Sequence, residues 1–135
     1  MRRFIDDRRV SARGVMYGLG GLEAEVMTEL WSTDEPQSVH DLVERLRARK
    51  EFAYTTILTV VTHLYEKGWV QREKRSRAYF YSPSRSREEA TSQALRALLD
   101  SSADPSAVLL HFAKTVTDRE YDALRRGWTS RAPEQ

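Results

Sequence analysis

The sequence predicts a mainly α-helical chain with one small β-hairpin, and three observations carry that expectation. Apolar residues recur three and four apart in successive stretches on both sides of the middle of the chain. A glycine stop at Gly68 is followed by two short alternating runs around Arg75-Ser76-Arg77. Charge is also segregated: Lys67 to Arg87 holds seven basic residues against one acid, a local net charge of +6 in a chain whose total is only +2. Helices, then a glycine stop, then a charged hairpin is the order of a winged helix-turn-helix. Further helices follow it, and these read as a C-terminal helical dimerisation region.

Residues 1–19 carry most of their charge as arginine, lack apolar periodicity and read as a flexible basic arm. The arm is either inert or able to reach along a groove of DNA, and Met16 is an alternative native start. Gly20-Gly21 opens a first helix in which Leu22, Val26, Met27 and Leu30 share a face and Trp31 ends the run. Its acidic face, Glu23, Glu25 and Glu29, is expected to meet solvent. Ser32 to Gln37, with Asp34-Glu35-Pro36, reads as a turn. Ser38 caps a second helix, with Asp41 three residues on and Val39, Leu42, Val43 and Leu46 inward; it closes on the basic run Arg45, Arg47, Arg49 and Lys50.

A third helix is expected from about Ala53–Thr55 to Gly68. Its β-branched residues favour a strand locally, but the period of about 3.6 residues decides for a helix. At about 100° per residue, Ile57, Val60, Val61 and Leu64 form the core face, Thr55, Thr59, Thr62 and Glu66 lie opposite, and Thr56, Leu58 and His63 flank them. Trp69–Lys74 and Ala78–Ser82 read as the hairpin, ended by Pro83. Ser86 with Glu89 then caps a helix carrying Ala90, Ala94, Leu95, Leu98 and Leu99. Asp104-Pro105 starts another with Val108, Leu109, Phe112, Ala113 and Val116, and Thr117 with Glu120 caps a last one with Tyr121, Leu124 and Trp128. Three helices this short enclose no core alone, so Leu95, Leu98, Leu99, Val108, Leu109, Phe112, Val116, Tyr121 and Leu124 are expected to meet a second copy. The domains expected are thus 1–19 arm, 20–83 winged helix, 84–128 dimerisation helices and 129–135 disordered tail.

Short side chains on the outward face of the third helix allow close approach in a major groove, where Thr hydroxyls and methyls can meet base edges. The expected DNA-contacting set is Tyr54, Thr55, Thr56, Leu58, Thr59, Thr62, His63 and Lys67 on or beside that helix. Arg72, Lys74, Arg75 and Arg77 on the wing are expected at phosphates or in the minor groove. Trp31, Phe52, Trp69 and Phe80 have the spacing of core residues rather than a ligand cage. The chain has no cysteine, and His40, His63 and His111 stand far apart, so no cofactor or metal is expected. Neither a nucleophile elbow nor a phosphate-binding glycine loop is present, so an enzyme is not expected. The N-terminus lacks the apolar core of a signal peptide and no stretch approaches a membrane span, which gives a cytoplasmic expectation with no membrane partner.

Leu19-Gly20-Gly21-Leu22 through Leu30-Trp31, Ala53-Tyr54-Thr55-Thr56 through Gly68-Trp69-Val70, and Ala78-Tyr79-Phe80-Tyr81-Ser82-Pro83, with a helical tail to about Trp128, resemble the bacterial penicillinase-repressor family of the BlaI/MecI/CopY type. The resemblance implies a homodimeric repressor whose winged helix binds double-stranded operator DNA. Its recognition contacts map onto Thr55, Thr56, Leu58, Thr59, Thr62 and His63, although Leu58 and His63 stand where some members carry Arg. In the antibiotic-responsive members a regulatory protease cuts an Asn-Phe bond; the corresponding place here looks like Ala94-Leu95, after Thr91-Ser92-Gln93, so that cleavage signal is absent or altered. The cysteine motif of the copper-responsive members is missing, which excludes copper sensing by that route. Two alternatives stay open: a winged helix that binds proteins, and a regulator that senses a small molecule between its two regions.

Overall fold

The computed structural model describes residues 18–133. Nearly all of the expected basic arm, Met16 included, and the last two residues of the expected tail lie outside the described residues. In chain order the elements are α1 (Gly21–Trp31), α2 (Val39–Leu46), α3 (Tyr54–Glu66), β1 (Val70–Arg75), β2 (Ala78–Pro83), α4 (Arg87–Asp100), α5 (Pro105–Ala113) and α6 (Asp118–Ser130). They form two compact units whose boundary falls between Ala94 and Leu95, inside α4.

The first unit is built on α1, α2 and α3. Val26 and Met27 from α1, Leu42 and Leu46 from α2, and Ile57, Val61 and Leu64 from α3 lose all contact with solvent, and Leu30 and Tyr81 nearly all. Each set repeats at three- and four-residue spacing, so each helix spends one face on a common core. Val60, Trp31, Phe52 and Trp69 pack around it half-buried. Leu19, assigned by the sequence to the arm, is buried as well. It directly precedes the N-cap Gly20 and joins the core cluster of the three helices. At α2 the Ser38 hydroxyl accepts from the Asp41 N–H at 3.1 Å, while the Asp41 carboxylate accepts from the Ser38 N–H at 2.9 Å.

The acidic face of α1 does not look into solvent as expected. Glu29 pairs with Arg45 at 3.3 Å, Glu25 with Arg49 at 3.6 Å and Glu23 with Lys67 at 2.9 Å, so cations in and just past the last turns of α2 and α3 close onto it. The strands pair antiparallel from Val70 opposite Pro83 to Arg75 opposite Ala78, leaving Ser76-Arg77 as the tip. Ser76 takes φ 59°, the left-handed value a tight hairpin turn demands. The stretch read as a plain turn holds a further pairing: Gln37 and Tyr81 exchange backbone hydrogen bonds of 2.8 Å each. One bridged residue has no alternation for a sequence pattern to reveal.

In the second unit Asp104 caps α5 by accepting from the Ala107 N–H, with Pro105 in the first turn, and Thr117 and Glu120 form the reciprocal box at α6. Neither α5 nor α6 buries a single residue. Helix α6 also runs through Ser130, into the stretch expected as a disordered tail. There the Thr129 hydroxyl donates to the Arg125 carbonyl, and the Arg131 guanidinium covers the Trp128 ring at 3.8 Å.

Candidate nucleic-acid interface

Helix α3 is fixed from below by Ile57, Val61 and Leu64, which dictates what it shows above: Tyr54, Thr55, Thr56, Leu58, Thr59 and His63 are exposed, and Thr62 is half-buried. The Thr59 hydroxyl donates to the Thr55 carbonyl at 3.0 Å and that of Thr62 to the Leu58 carbonyl at 2.7 Å. Bonds of this kind let Thr sit in a helix interior by returning its donor to the backbone. The N-cap Ala53 supplies no side-chain cap and the first turn holds no acid, so the positive end of the helix dipole is left uncompensated by side chains. Beside that end the His40 ring, at the start of α2, lies 4.6 Å from the Tyr54 ring.

At the other end the helix stops in a Schellman motif. The Gly68 N–H donates to the Tyr65 carbonyl and the Trp69 N–H to the Leu64 carbonyl, with Gly68 at φ +82°. This turn swings the chain directly into β1. The Arg72 guanidinium then inserts between two rings, 4.0 Å from Tyr65 at the end of α3 and 4.3 Å from Tyr79 on β2. It thereby ties the wing to α3.

The expected wing cations therefore divide. Arg72 is half-buried between rings; Arg75 pairs with Glu73 and lies over Phe80; Lys74, 5.9 Å from the Tyr79 ring, and Arg77 at the tip are exposed. Lys67 is held by both carboxylate oxygens of Glu23, at 2.9 and 3.0 Å. Burial pushes the Glu23 carboxyl up, but the Gly20 N–H and the Lys67 ammonium outweigh it and leave the group below its ordinary 4.5. Sequence reasoning missed His40 and Tyr65, whose ring partners lie across a loop and across the hairpin. A helical wheel places Tyr65 next to Leu58 but is silent on what covers it.

Beside the wing a cleft is lined by Trp31, Lys67, Trp69, Ser84, Arg85 and Gln93. Several of its polar groups are engaged within the chain: the Trp31 indole N–H donates to the Arg85 carbonyl, Arg85 to Gln93, and Lys67 to Glu23. Among the described residues no group of His, Cys, Asp and Glu could hold a metal ion, and no helix is long and apolar enough to cross a membrane.

A three-helix core with an outward Thr-lined helix and a hairpin wing tied to its end defines a winged-helix DNA-binding regulator. Residues 19–130 match the family model described as penicillinase repressor. The transcriptional regulator BlaI of Mycobacterium tuberculosis (strain ATCC 25618 / H37Rv) is 40% identical over 111 residues, 80% of each chain. The penicillinase repressor of Staphylococcus aureus is 28% identical over 107 residues, 76% of this chain and 84% of its own. The chain belongs to the penicillinase repressor family, a family of transcriptional regulators and not of enzymes. Among solved structures, MepR, a transcription regulator of the Staphylococcus aureus multidrug efflux pump MepA, superposes with a TM-score of 0.55 at 10% identity, covering 94% of this chain and 90% of its own. The multiple antibiotic-resistance repressor MarR from Listeria monocytogenes gives 0.55 at 18%, covering 92% and 79%. At such identities these two establish the winged-helix fold alone.

Proposed function

We propose that the chain is a sequence-specific repressor in the cytoplasm that acts as a homodimer on a palindromic operator. The observation that carries the reading is the outward face of α3, with Thr55, Thr56, Leu58, Thr59 and His63 exposed above an uncapped N-terminus and the cations Lys74 and Arg77 exposed on the adjoining wing. Short side chains admit the helix to a major groove, and the wing cations add affinity that falls steeply with salt. The same charge argues against a module that binds proteins only, and the engagement of Trp31, Lys67 and Arg85 by other groups of the chain argues against a small-molecule site in the cleft beside the wing. Gel-shift titration over the promoter of the chain's own gene tests the reading: a discrete complex is expected, weakened about tenfold or more by Thr59→Ala with Thr62→Ala. Equal affinity for unrelated duplexes, unchanged by that pair, overturns it.

Dimerisation draws support from the second unit. Of the residues expected there, Leu95, Leu98, Val108, Leu109, Phe112, Tyr121 and Leu124 are exposed in the single chain and Leu99 and Val116 half-buried. Leu110 and Trp128, at 66% and 69% exposure, extend the set. Helix α5 is thus apolar around most of its circumference, a pattern that belongs inside an assembly. Phe112, Val116, Ala123, Leu124, Gly127 and Trp128 line an open groove of the kind a second copy fills. A regulatory protease acting at Ala94–Leu95 completes the proposal. That bond lies at the boundary between the compact units, and a cut there severs the DNA-reading unit from the apolar helices. Because it lies in mid-helix, cleavage requires α4 to unwind locally.

A further inference from the structure

Which bases α3 can read follows from what its side chains have left to offer. From Tyr54 to Glu66 the helix contains no Arg, Lys, Asn or Gln. Guanine is commonly read through its two major-groove acceptors by a bidentate Arg or Lys, and adenine by a bidentate Asn or Gln, so neither device is available. The outward face carries Thr59 and the half-buried Thr62, with Leu58 on its flank. Leu58 is apolar and 38% exposed. The donors of Thr59 and Thr62 are already spent on the Thr55 and Leu58 carbonyls. What remains is methyl groups and hydroxyl oxygens that only accept.

An A·T pair matches both features: the thymine 5-methyl offers an apolar contact and the adenine amino group a donor. A G·C pair also offers a donor, the cytosine amino group, but no methyl, so the discrimination rests on the methyl contact alone. We propose that Leu58 is the specificity-determining residue of this chain, and that it reads a thymine methyl in each half-site. The inference rests on the DNA-binding reading above. Of the other threonines of α3, Thr55 and Thr56 stand in the first turn, and His63 stands one turn beyond Thr59. Polar readout is thereby displaced to the flanks of the methyl contact.

The test uses the full chain and a random-sequence duplex library. After selection, the best-enriched duplex is made with thymine and again with deoxyuridine, which lacks only the 5-methyl group. Burial of one methyl is worth about fourfold in affinity, so two half-sites predict a loss on the order of 15-fold for the uracil duplex at unchanged salt dependence. In the exposed-site variant Leu58→Ala the thymine and uracil duplexes are expected to bind alike, while the variant keeps the salt slope of the parent. Equal binding of the two duplexes by the parent chain, or a uracil penalty that survives in Leu58→Ala, overturns the inference and leaves the repressor reading standing. If no sequence is enriched from the library, the repressor reading falls and takes the inference with it.

Discussion

Arg72 shows how a side chain with an evident sequence meaning can serve a different one in the fold. Its charge and its place in a basic hairpin suggest a phosphate contact, yet its guanidinium is stacked between Tyr65 and Tyr79. A planar, weakly hydrated cation stacks on rings far better than an ammonium does. Arg72→Lys therefore keeps the charge and loses the clamp. We expect it to weaken operator binding about three- to tenfold while leaving the salt slope of binding unchanged, measurable by fluorescence anisotropy across a salt series. A slope reduced by about one would instead mark Arg72 as a phosphate contact. The core residues were legible because periodicity encodes them, and Val26, Leu42, Ile57 and Leu64 lie where the spacing puts them. Pairings such as Arg72 with its two rings, or His40 with Tyr54, depend on which loops bring distant positions together. One sequence holds no period for that.

Among the elements, α3 is held at both ends by devices outside its own core face. Gly68 is in the left-handed region, and a Cβ added there would meet open space. The cost of Gly68→Ala is therefore conformational and not steric, and a loss of about 1–2 kcal/mol is expected in denaturant unfolding. The Glu23–Lys67 pair joins the first turn of α1 to the cap of α3. Because the folded Glu23 carboxyl lies below its ordinary 4.5, its contribution to stability is present above that value and is lost as pH falls through the folded value. The difference in unfolding free energy between the parent and Glu23→Gln should hold constant from neutral pH down to about 5 and shrink as acidification continues. A gap that widened on acidification would show that the pairing does not stabilise the fold. Element boundaries read from sequence differ from the structure by one or two residues. The exceptions have physical reasons: Leu19 joins the core just ahead of a helix start, and Gln37 forms a lone bridge with Tyr81.

For the molecule as a whole, the two units differ in how they meet water. The first closes a core within one chain; in the second, α5 and α6 bury nothing. If two copies pair through these helices, thermal stability must rise with protein concentration, because association favours the folded partner. Melting followed by circular dichroism over a hundredfold range of concentration should show that rise. Phe112→Lys, placing a charge in the apolar groove, should abolish it and give a monomer by light scattering. Concentration-independent melting of the parent chain would refute pairing.

On the proposed reading the cations that meet DNA stand on the wing, and the helix between Tyr54 and Glu66 has neither Lys nor Arg. Grip and discrimination thus belong to different segments. A protein so built can scan a genome on its hairpin while its uncharged helix samples each site in passing. Changes at Leu58 or its neighbours could then redirect the repressor to a new target without altering how tightly it holds random DNA. That separation gives lineages of such regulators a route to new target genes one residue at a time.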